Sequence, residues 1–219
     1  MNYVQLVLTA YSFRKELQFV AGAFLIILLM PVIAVFLLTH SGIDIISDRL
    51  ATVDSQTQAI EIHDPTTGEV VKEIHPVVAW PAKGVVTTDF GDSTIYQLFH
   101  SGIDIASPNG KVGSPVSPFM EGEVIYAGEI WWGFGKHIIL DHGNNITSIY
   151  AHLDKIFVIK GQKVKLNHIM GHMGSTGWST GPHLHFQINV YGLPVNPTTF
   201  MGNLANTQPV PQAAQNQQQ

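Results

Sequence analysis

The sequence predicts an all-β domain behind a single N-terminal transmembrane helix, two observations carry that expectation, and a third points to a site within the domain. Phe19 to Leu38 is a run of twenty residues without a charge. From Val77 to Gly202 glycines punctuate short apolar or alternating runs, and no amphipathic helical period of useful length intervenes. Eight of the 11 histidines fall between His100 and His185.

Composition bounds the chemistry. The chain has 219 residues, 45% of them hydrophobic and only 12% charged, against about a quarter charged in an ordinary soluble domain. The net charge of −5 argues against nucleic acid as a partner, which calls for a basic face or stripe. There is no cysteine, so a disulfide scaffold, a thiolate metal site and a cysteine nucleophile are excluded. Any metal site must use imidazole and carboxylate.

The elements follow in chain order. Residues 1–17 carry Arg14 and Lys15 just before the apolar run, and the positive-inside rule places them in the cytoplasm. Residues 18–39 form the expected membrane helix, because twenty residues at about 1.5 Å each span the hydrocarbon core. Gly22 and Pro31 are tolerated in such helices. The run is longer than the apolar core of a signal peptide, and no small-residue pair closes it at Val35–His40. The reading is therefore an uncleaved single-pass anchor, with everything after it outside the cytoplasm. Residues 40–76 read as an acidic stalk, with seven acidic residues against Arg49 and Lys72 in 41–76. Within it Ile60–Ile62 and Glu69–Val71 read as a small hairpin and Ile45–Gln58 as a short helix. Residues 77–202 are the folded domain, a compact antiparallel sheet or sandwich, with strands expected around 124–127, 137–140, 147–150, 164–166 and 184–188. Residues 203–219, rich in Gln, Asn, Pro and Ala, read as a disordered tail.

The histidines form a pattern with a mechanism. His183-Leu184-His185 lies in a strand-like segment, where residues i and i+2 share a face. Both imidazoles then point into one place while Leu184 turns to the core. His100-Ser101-Gly102-Ile103-Asp104 carries a central glycine, which favours a turn able to bring His100 and Asp104 round one ion. Two histidines and one carboxylate suit zinc and leave a fourth position open, as catalytic zinc sites do. His152, at the end of Tyr150-Ala151-His152-Leu153, would be an ordinary loop histidine if it stood alone.

In this order, Trp80-Pro81, Phe90-Gly91, His100–Asp104, Tyr150–Leu153, Gly174-Ser175-Thr176-Gly177, Ser179–Pro182, His183–Phe186 and Val195-Asn196-Pro197 resemble the lysostaphin/LytM-type zinc metallopeptidases, which cut peptidoglycan peptides. The resemblance covers about residues 77–200 and leaves out anchor, stalk and tail. It implies a duplicated-hybrid-motif β domain with a groove across one sheet. It also implies zinc ligands at His100, Asp104 and His185 and catalytic, unliganded histidines at His152 and His183. None of the five departs from the family pattern. His137, His142, His168 and His172 are read as loop or surface residues.

The implied function is a membrane-anchored zinc endopeptidase acting on stem peptides or cross-links of peptidoglycan. No H-E-x-x-H glutamate is present, so histidine takes the base role, shared between His152 and His183 without a choice between them. The alternative is a non-catalytic wall-binding or amidase-activating subunit of an envelope, secretion or conjugation machine. The hexapeptide at 40–45 repeats His100–Ile105. It lacks the flanking motifs and a second His-Leu-His, and is not expected to bind zinc.

Overall fold

The alternating runs between the glycines become eleven of the fourteen strands in the computed structural model, which describes residues 18–27, 29–30, 46–54, 57, 59–93, 97 and 99–201. Residues 18–27 and 29–30 are helical. Among the described residues no helix is long and apolar enough to cross a membrane. The rest of the expected span at 31–39, the hexapeptide copy at 40–45, the N-terminal 1–17 and the tail at 203–219 lie outside the described residues.

The main sheet of the domain is antiparallel and has eight strands. Its order is β11 (Lys163–Val164), β7 (Gly122–Ile130), β8 (Gly135–Asp141), β9 (Ile146–Ala151), β13 (His183–Val190), β5 (Ile103–Ala106) and β4 (Val85–Thr88). The last strand, β14 (Leu193–Val195), pairs with the C-terminal half of β13 beyond the end of β5. A second sheet of three strands has the order β10 (Leu153–Ile156), β12 (Gly171–Met173), β6 (Pro115–Val116). The five strands expected from sequence all exist. The shorter ones, β4 to β6, β10, β12 and β14, carry too few residues to show a period. A short helix, Pro197–Met201, closes the described domain, where no helix was expected.

The core forms where the inner faces of these strands meet. Ile103, Ile105, Val124, Ile138, Leu140, Tyr150, Leu184, Phe186 and Ile188 are all buried. Phe119 packs against Phe186 and Phe200, and its backbone N–H donates to the Tyr150 hydroxyl at 2.9 Å. Gly102 has a reason beyond the turn expected of it. A Cβ there would lie 2.4 Å from the Phe186 carbonyl oxygen, so only glycine lets β5 enter the sheet beside β13.

Residues 46–74 do more than bridge a distance. Residues 46–50 are helical, and β1 (Ala51–Val53), β2 (Ile60–His63) and β3 (Val70–Ile74) make a three-stranded antiparallel sheet. The expected hairpin is β2–β3, but the helix expected over 45–58 gives way to strand at Ala51. Leu50, Ala51, Ile60 and Ile62 are buried in the same apolar cluster as the large sheet, and the Asn196 N–H donates to the Ser47 hydroxyl at 2.9 Å. The acidic composition of the segment hid these apolar residues.

Two histidines read as surface residues are otherwise placed. His137 is 3% exposed, stacked on Tyr126 with ring centroids 4.5 Å apart. His142 lies between the Glu121 carbonyl and the Ser148 hydroxyl, at 2.8 and 2.7 Å, with its ring against Phe119. His168 is exposed, as expected, and His172 is half-buried in β12.

Two stability predictions follow from this packing. Leu50→Ala should destabilise the chain by about 2–5 kcal/mol, the usual range for emptying a buried leucine site, read by urea unfolding. No loss would mean that residues 46–74 do not share the core. Burial pushes His142 down to about 4, against opposing contributions from the Glu121 carbonyl and Asp141. Its ordinary value is 6.5, so the unfolded chain takes up a proton before the folded one does. Stability from this group is complete above pH 6.5 and is lost as pH falls toward 4. His142→Gln should flatten that acid loss in unfolding curves at pH 7.5 and 5.

Candidate metal centre and groove

Strand register assembles the centre. Asp104 on β5 lies directly opposite His185 on β13, and His185 lies opposite Ala151 on β9, one residue before His152. Alternation along β13 puts His183 and His185 toward the groove and buries Leu184 and Phe186 in the core. His100 stands in the loop before β5. That loop is held by the His100 N–H on the Asp92 carbonyl and the Gly91 N–H on the His100 carbonyl, both at 2.9 Å.

Three atoms converge. His100 Nε2 lies 3.0 Å from Asp104 Oδ1 and 2.9 Å from His185 Nδ1, which lies 3.1 Å from the same carboxylate oxygen. The Asp89 carbonyl lies 3.1 Å from His100 Nδ1. A carbonyl only accepts, so the ring proton sits on Nδ1 and Nε2 keeps a lone pair. Three electron-rich atoms at these separations repel one another unless a positive charge sits among them. A tetrahedral zinc with bonds of roughly 2.0–2.1 Å separates its ligand atoms by roughly 3.3–3.4 Å, a few tenths wider than this triangle. The donor set and the backbone partner behind His100 fit zinc well.

The neighbouring charges are tuned together. Burial opposes ionisation of Asp104, but when the facing His100 and His185 nitrogens carry a proton instead of a metal, their hydrogen bonds outweigh burial and hold the carboxyl far below its usual range. Burial likewise opposes protonation of His100, and Asp104 beside it reverses the balance and raises its pKa. His185 is lowered, chiefly by burial.

His152 and His183 flank the triangle. Their ring centroids are 4.7 Å apart, and His183 Nε2 is 3.7 Å from Asp104 Oδ1. His152 Nδ1 donates to the Thr176 carbonyl at 2.8 Å, and His183 Nδ1 donates to the Gly181 carbonyl at 2.8 Å. Both Nε2 atoms therefore remain available to the groove. Burial, then the nearby His183 and His185, lower His152 to about 4. His152 also has φ +61°, a left-handed conformation uncommon outside glycine. Its N–H donates to the Phe134 carbonyl at 2.9 Å. A groove of about 600 Å³ opens over these five residues, walled by Thr88, Trp178, Ser179 and Thr180.

All five residues singled out in the sequence thus meet at one place. Their supports escaped sequence reasoning. The Thr176 hydroxyl donates to the Leu153 carbonyl at 2.9 Å and accepts the Lys136 N–H at 3.0 Å, which fixes the carbonyl that holds His152. The Phe134 ring lies against His185, with centroids 5.6 Å apart. A backbone carbonyl leaves no residue signature. The Gly-Ser-Thr-Gly motif was the visible sign of the Thr176 turn.

The domain resembles known proteins in sequence and fold. Residues 98–197 match the family described as Peptidase family M23. The murein hydrolase activator NlpD of Escherichia coli strain K12 is 38% identical over 122 residues, 56% of this chain and 30% of that protein. The DD-carboxypeptidase/endopeptidase Mpg of Neisseria meningitidis serogroup B is 38% identical over 100 residues, 46% of this chain and 22% of that protein. A crystal structure of a zinc-containing peptidase from Vibrio cholerae aligns with a TM-score of 0.52 and 28% identity, over 67% of this chain and 44% of that one. The chain spans less than half the length of the curated relatives it matches. Residues 98–197, which contain His100, Asp104, His152, His183 and His185, are thus a peptidase family M23 segment of LytM type.

Proposed function

We propose that this chain is a membrane-anchored zinc metalloendopeptidase that hydrolyses peptide bonds in the stem peptides or cross-links of peptidoglycan. The observation that carries the reading is the convergence of His100 Nε2, Asp104 Oδ1 and His185 Nδ1 within 3.1 Å of one another on the floor of an open groove. Membership of family M23 and the likeness to the Neisseria carboxypeptidase/endopeptidase support it. The anchor at 18–39, with the domain on the outer side, rests on the apolar run and on Arg14 and Lys15.

His100, Asp104 and His185 would hold the zinc, which when bound supplies the positive charge that polarises a peptide carbonyl and makes water acidic. The chain's own groups do the rest. His152 and His183 each present an Nε2 whose ring proton is fixed on the opposite nitrogen by a backbone carbonyl. One accepts the proton of the attacking water and passes it to the leaving amine, and the other hydrogen-bonds the oxygen that becomes negative. The low pKa of His152 keeps that ring neutral, as an acceptor must be. The walls of the groove align an extended peptide over this pair.

A second reading has its own support. The E. coli relative is a murein hydrolase activator, and this chain would then bind the wall or activate an amidase within an envelope machine. Retention of all five groove residues favours hydrolysis.

The full chain, incubated with purified peptidoglycan, should release new peptide ends when zinc-loaded and none when chelated. His185→Ala should lose both the metal and the cleavage. His152→Ala should keep zinc, measured by elemental analysis, yet lose on the order of 100-fold or more in rate. Intact peptidoglycan in the presence of zinc-loaded protein would replace this reading with the activator role.

A further inference from the structure

Three of the chain's four tryptophans stand together beside the groove and take no part in the chemistry above. Trp131, Trp132 and Trp178 are 85%, 52% and 61% exposed, whereas Trp80 packs against the core. Trp178 forms part of the groove wall. Its ring centroid is 6.5 Å from that of Trp132, the planes tilted by 54°. Large aromatic faces left in water mark surfaces that something covers.

The platform is rigid. Trp132 sits in the turn between β7 and β8, and Trp178 in the turn after Thr176. The Trp178 N–H donates to the Gly133 carbonyl at 2.8 Å. A Cβ on Gly177 would meet that same oxygen at 2.3 Å, and a Cβ on Gly135 would lie 2.5 Å from Thr176. The two turns are therefore locked backbone to backbone, and both glycines have positive φ. A ligand that lies on these rings does not have to order them first.

The surroundings select the ligand. Ser179 and Thr180 follow Trp178 in the wall, and Thr88 and Gln97 line the same groove, all neutral and polar. The nearby Lys136 ammonium is taken up by the Asp154 carbonyl at 3.0 Å. Flat apolar faces rimmed by neutral hydrogen-bonding groups suit a pyranose ring with its hydroxyls and amide, not an anionic surface. We infer that Trp132 and Trp178, with Trp131 next to them, form a stacking platform for the N-acetylated sugar chain that carries the peptide in the groove. This rests on the peptidoglycan reading of the groove, because the platform continues from its wall through Trp178.

The test is calorimetric titration of the full chain with a peptide-free N-acetylglucosamine tetrasaccharide and, separately, with a glycan-free stem peptide. The saccharide should bind wild type. Trp132→Ala and Trp178→Ala should each weaken it at least tenfold, and Trp132→Tyr, which keeps a stacking face, should restore most of the affinity. Stem-peptide affinity should respond less to Trp132→Ala than saccharide affinity does. A saccharide that does not bind, or binds all variants alike, overturns the platform. So does a Trp132→Ala loss that falls on the peptide alone. Melting curves identify any misfolded variant, and Trp131→Ala, at the most exposed of the three, gives an independent reading. The saccharide offers no peptide bond and the stem peptide is titrated into chelated protein, so neither arm involves turnover, and absent hydrolysis would count against the peptidase reading and leave this result standing.

Discussion

Two imidazole nitrogens and a carboxylate oxygen held within 3.1 Å of one another are the constraint from which the rest of the domain can be understood. Such a cluster is unfavourable in isolation, because lone pairs face lone pairs in a partly dry site. Folding must hold it there by other means. The sheet does so with register. Asp104 and His185 are cross-strand partners, and cross-strand positions put side chains on one face in contact whether or not they attract. Behind His185 lie Leu184 and Phe186, both buried in the core. Slipping β13 by one residue would turn those two into the groove and both histidines into the core. The apolar packing therefore enforces the polar arrangement.

A second layer of control lies in the backbone. His100, His152 and His183 each give an Nδ1 proton to a carbonyl, those of Asp89, Thr176 and Gly181. None of these carbonyls titrates. The three rings keep one tautomer while the charges in front of them change, which a carboxylate partner would not guarantee. Glycine is the cost of this design at two places. Gly102 admits the Phe186 carbonyl, and Gly177 admits that of Gly133.

The legible part of the molecule was the part written in side chains. Alternation in β7, β8, β9 and β13 announced the main sheet, and His183-Leu184-His185 announced the face that meets the groove. Asp89, Phe134 and Thr176 act through carbonyls or ring packing, and nothing in their residue type signals that. The stalk was misjudged for a related reason. Net charge described residues 41–76 correctly on average, but an average is insensitive to three apolar side chains in a short sheet and one in the helical turn before it. Leu50, Ala51, Ile60 and Ile62 decide the packing, while acidic residues around them face water or accept hydrogen bonds, Glu61 from the Thr52 hydroxyl and Asp64 from the Thr66 and Thr67 N–H groups. His137 was misread because a single histidine in an apolar strand carries no periodic signal. Its stacking on Tyr126 and its bond to the Gly135 carbonyl satisfy it in place.

His152 shows how these layers combine. A left-handed backbone costs a non-glycine residue roughly 1–3 kcal/mol, and this one is not at a chain reversal that any sequence would need. Its φ of +61° ends β9 and starts β10 in the next sheet. The conformation turns the ring back across His185 and His183 instead of letting it continue the alternation outward. Three contacts sustain it: its N–H on the Phe134 carbonyl, its Nδ1 on the Thr176 carbonyl, and its ring against the two histidines of β13. Phe134 and Thr176 belong to the two glycine-locked turns that carry Trp132 and Trp178. The strained histidine and the aromatic wall thus share one rigid support, and the geometry of the ring proposed to carry the proton is coupled to the surface that would meet the substrate.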